Sequence, residues 1–401
     1  MIRFFSLILL SVVTISTFQA CTEIKSEPKT VLTEPEDWVM DDSTALFLDE
    51  FRVSFQEGLA NQRIPGGAVV IVKEGRVIFQ QGFGVKESGK TEQVDEHTVF
   101  RLGSVSKGFA SVLAGVMVDE GLLSWEKPVS DYLETFKLYD PEQTDRVQIK
   151  HILSHTSGLP RHAYTNLVED GLSLDRIIPR LERVPLIAKE GEQLAYQNAA
   201  YSVIEKVLEA QVELDFDSLL QQKLFKPLGM VNSSASYDSI RYSKNKAYPH
   251  VWYSRSKGRV PVKISKKYYN AISSGGINAS AADMGQWLLL LTGYYPEIIS
   301  DETLNKIFEP MATINNKRFS RYWDGVNKSH YGMGWRVLDN EGQKIVYHGG
   351  YVNGYRSEIA FDPDNGIGIC VLVNANSSYP LQVIPGLFDH FKSDSTNQLS
   401  K

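Results

Sequence analysis

Strand-like runs stand near both ends of this chain, and helix-like runs fill its middle. That distribution constrains the fold more than any single motif. Residues 68–73 and 76–80 are rich in Val, Ile and Phe and are joined by Glu74-Gly75, which predicts a hairpin. Further strands are predicted at 331–338, 343–348, 355–361 and 367–373. Helical spacing predicts helices near 146–154, 173–182, 198–212 and 215–224. A helix capped by Ser43, with Leu48, Phe51, Phe55 and Leu59 on one face, precedes the first strand. Another, carrying Leu381, Ile384, Leu387, Phe388 and Phe391, follows the last strand. Strands from both ends can share one antiparallel sheet flanked by those two helices. The expected fold is therefore α/β (α+β), one domain over 43–395. Its sheet lobe covers about 43–100 and 268–395, and an inserted helical lobe covers about 101–267.

The chain has 401 residues, 42% hydrophobic and 22% charged, with a formal net charge of −6. Mild acidity with no outstanding basic stripe predicts no nucleic-acid partner. Met1-Ile2-Arg3 followed by an apolar run over 4–15 reads as a secretory signal peptide over 1–20, removed ahead of Cys21. Phe18-Gln19-Ala20-Cys21 resembles a bacterial lipobox, so Cys21 is expected to carry lipid. Residues 22–42 are polar and read as a tether. The expected location is the bacterial envelope, periplasm-facing and membrane-attached through that lipid; without lipidation the protein would be secreted. The other cysteine, Cys370, reads as a buried thiol in a strand.

Ser-x-x-Lys occurs five times, starting at Ser26, Ser104, Ser124, Ser243 and Ser254. Ser104 alone follows an apolar run ending in glycine and opens a helix with Phe109, Val112, Leu113 and Val116. Positions i and i+3 share a helix face, so Lys107 can lie beside the Ser104 hydroxyl. A helix start also supplies free N–H groups for an oxyanion. Tyr196-Gln197-Asn198 adds a phenol that can relay protons near a lysine, and an amide that can hold a carbonyl. His348-Gly349-Gly350 ends a predicted strand, where glycines admit a substrate backbone. Each motif alone has a bland reading: chance, a core tyrosine, a structural histidine.

Ser-x-x-Lys, Tyr-x-Asn and His-x-Gly in this order resemble the serine β-lactamase and penicillin-binding protein superfamily. The nearer likeness is to the branch with class C β-lactamases, D-alanyl-D-alanine carboxypeptidases and β-lactamase-like esterases. Ile64-Pro65-Gly66-Gly67, Leu153-Ser154-His155-Thr156-Ser157-Gly158-Leu159, Lys226-Pro227-Leu228-Gly229-Met230, Ser274-Gly275-Gly276-Ile277 and Tyr331-Gly332-Met333-Gly334-Trp335 match that branch in order. The resemblance implies that Ser104 is the acylated nucleophile and that Lys107 and Tyr196 transfer protons. It implies that Asn198 positions the substrate amide and Lys107. The backbone N–H groups of Ser104 and Tyr351 would form the oxyanion hole. His348, with Gly349 and Gly350, would face substrate where β-lactamases of this branch carry Lys-Thr-Gly.

These roles need no metal or cofactor. His151 and His155 sit four apart, but the pattern lacks the glutamate of a zinc helix. The expected substrate is a small molecule or peptide, peptidoglycan-derived fragments included: a D-amino-acid peptide, a β-lactam or a small ester. The histidine in place of lysine favours a peptidase or esterase over a dedicated class C-type β-lactamase. If His348 must be protonated to meet anionic substrates, their rate rises below about pH 6.5. A reading from another class is a non-catalytic envelope binding or scaffold lipoprotein.

Overall fold

A computed structural model describes residues 39–315 and 319–398; Cys21 and the predicted leader lie outside them. The first helix, α1 (Asp42–Asn61), is capped by Asp41, whose side chain accepts from Thr44 N at 2.8 Å. The predicted cap, Ser43, is already inside the helix. The predicted apolar face, Leu48, Phe51, Phe55 and Leu59, is the buried one.

The first hairpin is β1 (Gly66–Lys73) and β2 (Arg76–Gly84). Its turn residues Glu74 and Gly75 both have positive φ, +48° and +80°. That geometry matches the right-handed twist of the strands it joins. Next come β3 (Phe100–Arg101), a separate hairpin of β4 (His250–Ser254) and β5 (Gly258–Pro261), and β6 (Asn278–Ala279). The C-terminal strands are β7 (Ala312–Thr313), β8 (Val326–Tyr331), β9 (Arg336–Asn340), β10 (Gln343–Val352), β11 (Tyr355–Asp362) and β12 (Ile367–Val373). The main sheet runs β2-β1-β12-β11-β10-β9-β8-β7, and its neighbours pair antiparallel. Strands from the two ends meet where β1 lies against β12, from Gly67 opposite Val373 to Lys73 opposite Ile367.

Side chains alternate across this sheet, so each strand feeds two cores. Val69, Ile71, Val371 and Val373 face α1 and the terminal helix Tyr379–Gln398. Val70, Val72, Cys370 and Leu372 face the helical layer. There α2 (Ser106–Asp119) is buried on all sides from Ser106 to Met117. The predicted helix is therefore central rather than amphipathic. Its Phe109 stacks on Trp287 of the helix Ala281–Leu291 with ring centroids 3.8 Å apart.

Two expectations need correction. The run 331–338 is not one strand: β8 ends at Tyr331, and β9 starts at Arg336. Gly334 between them has φ +81°, and a Cβ there would fall 2.7 Å from the Tyr201 hydroxyl. Only glycine fits that turn. The stretch around Ser254, for which no strand is predicted, folds into the β4–β5 hairpin.

Candidate active site

Ser104 sits in a short 3-10 turn, Gly103–Val105, between β3 and α2. Gly103 has φ +53°, and a Cβ on it would lie 2.8 Å from Tyr351 N. Across the cleft, a Cβ on Gly350 would collide with the Leu102 carbonyl oxygen. The strand edge and the nucleophile segment thus touch backbone to backbone. This contact brings Tyr351 N beside the Ser104 turn.

One turn into α2, Lys107 is completely buried. Its Nζ donates to Asn198 Oδ1 at 2.8 Å and to the Ser274 carbonyl at 3.0 Å, and lies 3.5 Å from Ser104 Oγ. It also sits 4.8 Å from the centroid of the Tyr196 ring. Burial drives the Lys107 pKa down, and the neighbouring Tyr196 opposes that shift. For Tyr196, burial pushes the phenol up, but the charges of Lys107 and Arg336 outweigh it and leave the pKa below the ordinary 10.0. The two groups are close enough that the charge on each sets the protonation of the other.

The segment before the Asn198–Tyr201 helix holds Tyr196 in place. Ala195 N donates to the His155 carbonyl at 2.9 Å, and Gln197 N donates to His155 Nδ1 at 3.3 Å. His155 has φ +59° in a tight turn, and its ring lies 4.3 Å from that of Tyr196. Burial holds its pKa well below the usual value. His151 instead caps its own helix, accepting from Gln148 N at 3.1 Å. Asn198 uses both ends of its amide: Oδ1 accepts from Lys107, and Nδ2 donates to the Tyr268 hydroxyl at 3.1 Å.

Beneath Lys107 a chain of hydroxyls leads to a buried carboxyl. The Ser274 hydroxyl donates to the Asn198 carbonyl at 2.8 Å and lies 2.8 Å from the Ser202 hydroxyl. Ser202 is 3.1 Å from the Ser273 hydroxyl, which is 2.6 Å from Glu205 Oε1. Burial raises the Glu205 pKa from 4.5 to about 7.

His348 is brought to the site but not into the cleft. It is wholly buried, and its ring centroid is 6.5 Å from that of Tyr196. Its Nδ1 pairs with the Gly349 carbonyl at 3.0 Å, and its Nε2 with the Tyr331 hydroxyl at 3.1 Å. A carbonyl can only accept, so Nδ1 carries the proton and Nε2 accepts from the tyrosine. Burial, then Arg336 and Lys107, hold its pKa well below 6.5. The condition for a rate rise below about pH 6.5, a His348 that protonates to meet an anionic substrate, is not met by a ring buried in this way. Gly349 is explained by its neighbours, since a side chain there would strike the Glu358 carboxylate. That carboxylate accepts from the Tyr347 hydroxyl and pairs with Arg356.

The sequence did not point to the three arginines that line the cleft, Arg161, Arg336 and Arg356. Arg336 opens β9 directly after Tyr331-Gly332-Met333-Gly334-Trp335. It stands opposite Tyr331 on β8 and Tyr347 on β10, and its guanidinium carbon is 5.9 Å from the Tyr196 ring. Among the described residues no carboxylate pairs with it. The cleft holds about 370 Å³ and is lined by Ser104, Tyr196, Asn198, Tyr268, Arg336 and Tyr351, among others. No Asp or Glu lines it among the described residues.

An antiparallel sheet backed by two terminal helices, with a Ser-x-x-Lys helix meeting a Tyr-x-Asn turn and a glycine strand edge, defines a β-lactamase/transpeptidase-like protein. Comparison with known proteins agrees. A solved structure described as the octameric penicillin-binding protein homologue from Pyrococcus abyssi superimposes with a TM-score of 0.74 at 24% identity, covering 85% of this chain and 77% of that one. Residues 51–384 match the family described as Beta-lactamase, and the chain belongs to that family. Protein flp of Staphylococcus aureus is 24% identical over 346 residues, 85% of this chain and 65% of that protein. The unguisins hydrolase ungD' of Aspergillus campestris is 26% identical over 340 residues, 82% and 62% respectively. The chain thus spans less than two thirds of the length of these curated relatives.

Proposed function

We propose that this protein is a serine hydrolase that works through an acyl-Ser104 intermediate. The observation that carries the reading is the buried contact of Lys107 with Ser104, Tyr196 and Asn198 at the foot of the cleft. The Tyr196 phenolate, held by the Lys107 charge, takes the Ser104 hydroxyl proton as Oγ attacks the substrate carbonyl. The Ser104 and Tyr351 backbone N–H groups receive the oxyanion. Tyr196 then gives that proton to the leaving amine or alcohol, and the carbonyl–leaving-group bond breaks. Water repeats the sequence against the acyl group, and the proton returns to Ser104 Oγ.

The substrates proposed are amides or esters: D-amino-acid peptides, peptidoglycan-derived ones included, β-lactams and small esters. A relative named a hydrolase of unguisins supports hydrolysis. Arg336 favours a substrate with an anionic group close to the scissile carbonyl. Gly349 and the buried His348 offer no lysine or threonine side chain to a β-lactam, which favours peptidase or esterase activity over a dedicated β-lactamase. The proposal also keeps Cys21 as a lipid anchor that holds the domain at the envelope. Palmitate labelling lost in Cys21→Ser checks the anchor; an unlabelled wild type in the soluble fraction refutes it.

The activity is tested by intact-mass analysis after a fluorophosphonate or a slow β-lactam. One adduct is expected, mapped to Ser104 and absent in Ser104→Ala. No adduct with any probe, in a folded protein, would favour the non-catalytic scaffold reading.

A further inference from the structure

The chain is acidic overall, yet residues 239–282 contain no Asp or Glu and nine Lys or Arg. The whole-chain net charge conceals this stretch, and the expectation that no basic stripe stands out is corrected here. Its middle is the β4–β5 hairpin, a two-stranded sheet of its own that meets the main sheet only through His250, bridged to Ala375 just beyond β12. Trp252 and Tyr253 are adjacent, yet 52% and 64% exposed. Regular alternation would turn one of them inward, but the register shifts between Trp252 and Ser254.

Cations surround these rings. The Arg63 guanidinium carbon, from just beyond α1, lies 6.0 Å from the Trp252 ring, and that of Arg259 lies 5.9 Å away. Lys257 Nζ lies 5.0 Å from the Tyr253 ring. Arg63 also donates to the Arg255 carbonyl at 2.8 Å, and Arg259 to the Asn376 carbonyl at 2.7 Å. Among the described residues, no carboxylate pairs with Arg63, Arg255, Lys257 or Arg259. Two adjacent exposed rings surrounded by these cations set this patch apart from the scattered exposed aromatics elsewhere, such as Tyr139 and Tyr242. A ligand pocket would bury them.

We propose that this hairpin is a docking surface for an anionic lipid bilayer. Trp252 and Tyr253 enter the headgroup layer, where amphipathic rings are favoured. Arg63, Arg255, Lys257 and Arg259 meet the lipid phosphates, and each basic residue near a charged leaflet strengthens binding several-fold. The inference does not rest on hydrolysis or on a lipid at Cys21. With that lipid in place, the hairpin becomes a second attachment acting at high local concentration. The basic stretch continues through exposed Lys263 and Lys266 to Tyr268 in the cleft wall, so docking sets how the cleft faces the membrane.

The test uses the full chain carrying Cys21→Ser, sedimented with vesicles of phosphatidylcholine alone or mixed with phosphatidylglycerol. The leader and tether, with Arg3, Lys25 and Lys29, contribute equally in every variant, so the change in the charged-lipid gain between wild type and hairpin variants isolates the hairpin. That gain is expected to fall on the order of 100-fold in Arg255→Gln/Lys257→Gln/Arg259→Gln. Trp252→Ala/Tyr253→Ala should weaken binding on the order of 10-fold. Lipids brominated near the headgroup should quench a fluorescence component that Trp252→Phe removes. Fluorophosphonate labelling of Ser104 in each variant reports an intact fold, and circular dichroism does so if labelling fails in the wild type. An undiminished gain in the charge variant, or binding to a soluble polyanion with no gain on charged vesicles, overturns the proposal. So does vesicle binding without quenching at Trp252.

Discussion

Side chains make the helical wall of the cleft, whereas backbone and cross-strand neighbours make the sheet wall. On the helical wall, Lys107, Asn198 and Tyr196 sit in a buried, hydrogen-bonded cluster reached from Ser104 within one helical turn. On the sheet wall, Gly349 and Gly350 carry no side chain, and His348 turns away into a bond with Tyr331. Of the two arginines there, Arg356 is paired with Glu358, and Arg336 on the neighbouring strand has no carboxylate partner among the described residues. The contrast separates two tasks. Reactivity needs particular atoms at fixed spacing, and selectivity needs a shaped edge with a field around it.

The sharpest way to break this comparison is to remove the helical wall's reactive groups. Lys107→Ala and Tyr196→Phe are each expected to slow fluorophosphonate labelling on the order of 100-fold or more, with the fold retained. Labelling of the wild type by a neutral probe should rise with pH, with a midpoint below 10.0, because the Tyr196 pKa is lowered. Near-normal labelling by Tyr196→Phe would show that another base operates.

The sheet wall is probed by Arg336→Gln. KM for an anionic ester should rise on the order of 10-fold, while KM for a neutral analogue stays within a few-fold. The pH midpoint should also move upward, since Arg336 helps to lower the Tyr196 pKa. Equal effects on both substrates would remove the division of labour.

Glu205→Gln sharpens the picture of the helical floor through stability. Glu205 ionises near 4.5 when unfolded and at about 7 when folded. Between those values the native state holds a proton that the unfolded chain has released, so stability falls as pH rises. The loss is about 3 kcal/mol at most, and it is complete above the folded pKa. Glu205→Gln should flatten denaturant-derived stability across that window. An unchanged slope would show that Glu205 is ionised in the fold.

The smallest effect is expected for His348→Gln. An amide can keep one of the two hydrogen bonds, and the ring is neutral throughout the working range. Neutral-ester turnover should change less than about 3-fold, with the acid side of the pH profile unaltered. A new limb near pH 6.5 in the wild type, lost in this variant, would restore His348 as a titrating contact.

The helical wall was legible because its groups lie in short motifs whose spacing is set by one helical turn and one tight turn. Leu48, Phe51, Phe55 and Leu59 were legible for the same reason, as a local period. Arg336 was not, since its place beside Tyr196 depends on two strand registers and the Gly334 turn. The inward turn of His348 was hidden too, because a strand residue's facing depends on register rather than on its neighbours in sequence. The Trp252 surface was masked by a register shift that no periodicity announces.

The meeting of β1 with β12 orders events in time. Gly67 is synthesised early, yet its partner Val373 emerges close to the end of the chain. Until then the inner edge of β1 stays open, and the Gly350 edge of β10 that closes over Leu102 is itself made only shortly before. A growing chain therefore carries Ser104, Lys107 and Tyr196 long before it has a wall to set against them. Competence arrives late and all at once, with the last strands. A chain broken off before Ile367 keeps the reactive residues but lacks the frame that aims them, so an interrupted copy is a folding casualty rather than a loose hydrolase.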